Sequence, residues 1–335
     1  MSKLNVSALN LVPIRQVKSV KDAIDEMVDL AQHLESLDYS RYWIAEHHNT
    51  LGLASSATVT LIQHTLQHTS TLVVGSGGIM LPNHSPLVVA EQFGTLETLF
   101  KGRLNLGLGR APGTDRITAD ALRRDDGMRN VNSFPQDVNQ LLTFFGDQSK
   151  QGFVKANPGM DTHVPVYILG SSTDSARLAA SLGLPYAFAS HFAPQMLKEA
   201  IEIYRDQFEP SEYLDEPYVI AGMNAILAET NDEAKNLATT MQQFILNIIR
   251  SESNPLMPPT DEIDQIMTDY EKQVIESRFP TALLGDKDTA LEQLKQFTND
   301  YHIDEVMAVT YIYDTDKQHH SYTLLKEVVD AFNQQ

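Results

Sequence analysis

The sequence predicts a closed α/β barrel, a (β/α)8 TIM barrel with insertions. Three observations carry this. Strand-like and helix-like segments alternate almost from end to end of the 335 residues. The alternation reaches eight strands, most followed by a helix, which implies parallel strands joined by right-handed crossovers. Early strands ending near Ala45, Ile79 and Gly109 run into polar residues and glycines rather than plain turns. That is where such a barrel keeps its chemistry.

Taken in order, Leu4–Leu11 reads as the first strand, and the apolar residues from Val20 to Leu37 recur at helical spacing. Tyr39–Ala45 is the next strand, followed by a helix capped by Ser55 or Ser56. Thr71–Ile79 is a strand, and Pro86 opens a helix, a position that suits proline. Leu104–Leu108 is the fourth strand. Residues 115–158 then break the rhythm with a polar insertion that includes Arg123–Arg124–Asp125–Asp126 and a helix around Val138–Phe145. The alternation resumes with strands at Val164–Leu169, Tyr186–Ala189 and Val219–Ala228, and helices at Asp174–Leu182, Met196–Gln207 and Asp232–Ile249. Residues 251–280 form a second, proline-punctuated insertion. Glu305–Ile312 is the eighth strand, and Tyr322–Phe332 closes the chain as a helix. No low-complexity linker separates these units, so a single domain over 1–335 is expected.

Bulk properties narrow the partners. The chain is 42% hydrophobic, ample for a core of this size, and carries a net charge of −19. Such a surface repels phosphate backbones and anionic lipid, so neither nucleic acid nor membrane is expected as a partner. With no cysteine, thiolate nucleophiles, disulfides and Cys-ligated metal are excluded. Met1–Asn5 leads into no apolar leader and no run is long enough to span a bilayer, so a cytoplasmic enzyme is expected.

Four constellations stand out. Glu46–His47–His48 follows a strand, whose alternation sends Glu46 and His48 one way and His47 the other. Imidazole near neutral pH is a proton donor, an acceptor and an electrostatic partner, so catalysis or cofactor contact competes with a structural pair. No metal is expected there, because a zinc site needs a third ligand; His64 and His68, four apart on a helix, read as surface residues. Gly75–Ser76–Gly77–Gly78 ends the third strand, where a flat ligand on bare backbone competes with an ordinary bulge. Gly107–Leu108–Gly109–Arg110 lacks a dinucleotide fingerprint; Arg110 at a strand end is an anion contact or a surface ion pair. Gly170–Ser171–Ser172–Thr173–Asp174–Ser175 opens a helix, where free N–H groups and hydroxyls suit a phosphate but also suit simple capping.

These segments together resemble the bacterial luciferase-like flavin monooxygenases. The resemblance runs through Tyr42–Asn49, Gly75–Pro86, Glu91–Phe93, Gly102–Arg103, Gly107–Gly113, Gly170–Ser172 and Gly183–Pro185. It implies a barrel holding reduced FMN at the strand C-termini. It further implies reaction with oxygen to a flavin hydroperoxide that attacks a small organic substrate. Residue by residue, His47 matches the active-site histidine, with Glu46 beside it. Gly77–Gly78 matches a dipeptide that is cis in several members and packs on the flavin. Arg110 with Ser171, Ser172, Thr173 and Ser175 matches the phosphate end. The motifs are closer to the non-luminous, single-component-like branch. A separate flavin reductase and a homodimer are further expectations. Two rivals keep the fold: a flavin- or deazaflavin-dependent oxidoreductase that moves hydride without oxygenation, and a flavin-binding barrel without turnover.

Overall fold

The computed structural model describes residues 3–111, 113–123 and 133–335. Pro112 and the Arg124–Asp125–Asp126 part of the charged run lie outside the described residues. The strands, in chain order, are β1 (Asn5–Asn10), β2 (Tyr42–Ile44), β3 (Val74–Met80), β4 (Leu104–Gly109), β5 (Val166–Gly170), β6 (Tyr186–Phe188), β7 (Val219–Leu227), β8 (Leu283–Gly285) and β9 (Glu305–Val309). β1 to β7 pair in sequence order, and β9 pairs with both β7 and β1. The result is a closed barrel of eight parallel strands. β8 stands outside the ring, paired with Ala225–Leu227 of β7. It is a strand that the alternation read from the sequence does not include.

Alternation along the strands divides the core in two. Ala8, Tyr42, Ile44, Ala221 and Val306 face outward against the helices. Leu9, Trp43, Tyr167, Ile220 and Met307 face inward. The N-terminal end of the barrel is plugged by a buried ion pair. Glu305, fully buried, accepts from the Ser7 hydroxyl and from the Tyr218 hydroxyl at 2.7 Å, and Arg41 Nε stands 2.9 Å from it. Arg41 also donates to Asn105 Oδ1 at 2.9 Å and to the Tyr167 hydroxyl. Burial would lower the Arg41 pKa, but Glu305 together with Tyr167 and Tyr218 more than offsets it, so the charge is retained.

Local signals account for several helix starts. Val20–Ser36 begins with a reciprocal capping box between Ser19 and Asp22, and Pro86 takes the first turn of Pro86–Leu99. One expectation fails. The helix Thr58–His68 has Ala57 at its N-cap with no side-chain cap, so neither Ser55 nor Ser56 does that work. Instead the Thr58 hydroxyl reaches back to the Ser55 and Ala45 carbonyls, at 3.0 and 3.1 Å, and ties the helix start to the end of β2.

Both insertions fold onto the barrel. The first supplies the helix Phe134–Phe145, which packs on Pro86–Leu99 through buried Phe134, Leu141 and Phe145. The second pairs Leu256 with Arg15 and contains the short helices Ile263–Ile266 and Asp269–Glu276. Gly94 meets the first insertion backbone to backbone: a Cβ there would lie 2.3 Å from the Gly159 Cα. Gly94→Ala therefore forces the helix off that turn. The expected cost is about 1–3 kcal/mol, read as a lower urea midpoint with an unchanged slope.

Candidate active site

A cavity of about 520 Å³ opens at the C-terminal rim of the barrel. Its walls follow the period of two beyond the strand ends. Trp43, Ala45 and His47 face it from β2, Ala187, Ala189 and His191 from β6, and Ile220, Gly222 and Asn224 from β7. The last turns of the helix Asn231–Arg250 cover it, with Phe244 stacked on Tyr311 at 4.4 Å between ring centres. The second insertion closes one side through Glu252, Asn254 and Arg278.

Glu46 lies behind this wall, 1% exposed, and does not face the cavity. Its carboxylate accepts from the Met80 amide at 3.0 Å and from Asn83 Nδ2 at 3.3 Å. His48 Nε2 and His84 Nε2 each lie 2.8 Å from Oε1. Burial alone would raise the Glu46 pKa; the bonds from His84, His48 and Met80 overcome that and hold it below the ordinary carboxylate range. One buried charge thus fastens the ends of β2 and β3 together. His48 and His84, with Glu46, place three ligand atoms within 4.8 Å of one another, a group that could hold a metal ion, although the contacts drawn are hydrogen bonds. His84 is the third ligand type that adjacency in sequence did not supply. His64 and His68 are packed edge to face on their helix, with His68 Nδ1 2.8 Å from the His64 carbonyl.

His47 and His191 share the cavity, and each has a buried Nδ1 with no hydrogen-bond partner. Burial lowers the His47 pKa; Glu46 opposes this and His48 adds to it. Burial likewise pushes His191 down to about 4, against the nearby Gly222 carbonyl and with help from Arg278 and His47. Both rings are therefore neutral at neutral pH. Gly222 makes room for His191, since a Cβ there would stand 2.6 Å from its Nδ1.

Arg110, Ser171, Ser172 and Ser175 line the same cavity from the ends of β4 and β5, the latter paired with β6. Arg110 Nη1 is 3.2 Å from Asp174 Oδ2 in an exposed pair. The helix Thr173–Ser181 starts at Ser172 without a side-chain cap, so its leading N–H groups are left to other partners. Ser175 is committed elsewhere: its hydroxyl donates to the Ser172 carbonyl at 2.7 Å and meets the Tyr186 hydroxyl at 3.0 Å. Thr173 is half-buried in the first turn and is not a wall residue.

The glycines have a definite local cause. The Gly77–Gly78 peptide is cis, and the β3–β4 register shifts between Gly77 and Ile79. A Cβ on Gly78 would meet the Gly107 carbonyl at 2.7 Å, so that residue is bare for its neighbouring strand. Gly77 alone of the pair faces the cavity; a Cβ there would meet Leu9 and Trp43. His191, Asn224 and Arg278 were not singled out from the sequence. Alternation continued past β6 and along β7 marks the first two. Nothing local marks Arg278, which arrives from the second insertion.

Comparison with known proteins agrees with this architecture. The family model for luciferase-like monooxygenases matches residues 4–302. A protein named luciferase-like monooxygenase, from Escherichia coli strain K12, is 44% identical over 96% of this chain and 96% of its own length. The crystal structure of apo-MsnO8 is similar at a TM-score of 0.90 and 30% identity, covering 98% of both chains. The oxygenating constituent of 3,6-diketocamphane monooxygenase from Pseudomonas putida, solved with FMN, shares the fold at a TM-score of 0.70 and 15% identity, over 98% of each chain. The chain belongs to the luciferase-like monooxygenase family. Among the described residues no helix is long and apolar enough to cross a membrane.

Two outcomes follow from the electrostatics. Glu46→Gln leaves the His48 and His84 rings without a charged partner and is expected to cost about 3 kcal/mol in urea unfolding. His191 binds its proton more weakly folded, at about 4, than at its ordinary 6.5. Between those values the unfolded chain holds more protons, so stability rises with pH and is lost as pH falls from about 6.5 to about 4. Calorimetric Tm should fall across that window, and His191→Asn should make the fall shallower.

Proposed function

We propose that this member of the luciferase-like monooxygenase family is an FMN-dependent monooxygenase acting on a small organic substrate. The observation that carries it is one cavity that gathers Arg110 and an uncapped helix start, a bare-backbone apolar wall and a neutral imidazole on the same rim. When bound, reduced FMN supplies the two electrons that let one oxygen atom enter the substrate while the other leaves as water.

The residues present fit that group. Arg110, the free N–H groups at the Thr173–Ser181 helix start, and the Ser171 and Ser172 hydroxyls would hold the phosphate. A dianion would displace Asp174 readily, because an exposed pair is worth little. Thr173 offers its backbone N–H in the first turn, while Ser175 braces the loop through Ser172 and Tyr186. Gly77 lets a flat ring approach the wall formed with Leu9, Trp43, Leu169 and Ile220. Gly78 keeps β3 against β4 so that this approach is possible.

His47 supplies the proton chemistry. Its unpartnered Nδ1 gives a ligand a hydrogen-bond partner inside the cavity, and its neutral ring can accept a proton without first shedding one and then return it. Glu46 acts behind it, holding the strand end from which His47 projects. The Asn231–Arg250 helix end and the second insertion keep water from the reacting atoms. Reduced flavin would be delivered by a separate reductase, and a homodimer is the simplest assembly for such a chain.

The test combines binding with turnover. Arg110→Ala should weaken FMN binding about tenfold or more, measured by quenching of flavin fluorescence. His47→Ala should bind FMN within a few-fold of the parent, yet lose most product formation and release more hydrogen peroxide per oxygen consumed. Unchanged product yield and peroxide release in His47→Ala would remove its role. Tighter binding of a deazaflavin than of FMN, with hydride transfer and no oxygen uptake, would favour the non-oxygenating chemistry.

A further inference from the structure

The cavity is more cationic than the protein around it. The chain carries a net charge of −19, yet two guanidinium groups, Arg110 and Arg278, face this one space, with Glu252 the acidic residue beside them. Arg110 has Asp174. Arg278 has no carboxylate: among the described residues its guanidinium makes no ion pair and no hydrogen bond, and burial lowers its basicity. The nearest acidic wall residue by sequence, Glu252, is exposed and accepts from Asn254 Nδ2 at 2.8 Å. A half-buried, unpaired guanidinium is costly to maintain, and its five donors form a planar fork that suits a carboxylate.

Its position is set by contacts that do not use its donors. The guanidinium carbon lies 5.1 Å over the Phe192 ring. Three residues on, the Thr281 hydroxyl donates to the Ser190 carbonyl at 3.2 Å, fastening the end of the second insertion to the loop after β6. The same loop carries His191, whose amide donates to the Gly222 carbonyl at 2.6 Å and whose carbonyl accepts from Asn224 Nδ2 at 3.0 Å. Arg278 and His191 are thus locked to one short stretch of the rim, both with unused polar atoms. His191 Nδ1 is buried without a partner.

We propose that Arg278 and His191 form a subsite for a carboxylate borne by the organic substrate. The inference rests on the monooxygenase reading for the word substrate, but not for the subsite itself. Asn224 acts as a positioning residue through the His191 carbonyl. The apolar residues Phe244, Ile245 and Tyr311 on the same wall would take the carbon chain. A monocarboxylate with a short aliphatic body therefore fits.

Trp43 makes the test possible without turnover. It is the one tryptophan of the sequence and it lines the cavity. FMN-free protein is titrated with hexanoate and with hexanamide while Trp43 fluorescence is followed, and FMN binding is measured separately. Hexanoate should bind roughly tenfold or more tightly than hexanamide. Arg278→Met should abolish that preference while leaving FMN affinity within twofold, Arg278→Lys should restore part of it, and Arg110→Met should leave it intact. Equal binding of the two probes, no binding of hexanoate at 10 mM on the order set by weak fragments, or a preference that survives Arg278→Met would overturn the subsite. So would a loss of FMN rather than hexanoate affinity in Arg278→Met, which would assign the guanidinium to the flavin. Failure of the parent protein to bind FMN, with the hexanoate preference intact, would strike the flavin reading and leave the subsite standing.

Discussion

Closure of the parallel sheet is the constraint from which the rest follows. β9 must pair with β1 and with β7 at once, and that requires the buried N-terminal end of the barrel to be filled. Glu305 and Arg41 fill it, with Ser7, Tyr218, Asn105 and Tyr167 satisfying what remains of their polar atoms. A buried ion pair is tolerable only when its remaining donors and acceptors are met, and here residues from or just before four further strands meet them. With the lower end sealed, every strand points its C-terminus at the same rim. The cavity exists because the upper end is left open.

At that rim, side chains divide into those that build and those that face the cavity. Glu46 and His47 are neighbours in sequence and belong to different groups. Glu46 is buried and ties Met80, Asn83, His48 and His84 to the end of β2. His47, one residue on, turns inward with an unused ring nitrogen. A similar division separates Gly78, bare because the Gly107 carbonyl lies against it, from Gly77, which opens onto the cavity. Pairing a bracing residue with a facing residue lets a short loop hold a functional group firmly without a further layer of structure.

The electrostatic character of the cavity opposes that of the whole chain. Its imidazoles are kept neutral by burial, and its two guanidinium groups stand on separate segments, β4's end and the second insertion. An anionic surface around a site with cationic groups favours ligands that carry their charge at a defined point over polyanions, which the exterior repels. A ligand with a phosphate and one with a single carboxylate would each match that distribution.

Much of this was written in local sequence. Strand and helix alternation determined a parallel barrel because each period states which residues must be buried. The period of two also placed His47 opposite Glu46, and the hydroxyl run at Ser171–Ser175 announced a helix start. Luciferase-like membership was legible in motifs such as Glu46–His47–His48–Asn49. What the tertiary structure decided was partnership. That His84 shares the Glu46 carboxylate, that Ser175 is committed to Tyr186, and that Thr58 rather than a serine anchors its helix all depend on contacts between segments. Arg278 is the extreme case: it lies 87 positions beyond His191 in the numbering, and no periodicity brings it to the rim. Local sequence encodes which face of an element is buried, because burial acts residue by residue; it does not encode which distant charge is left without a partner, because that is settled only when the segments meet.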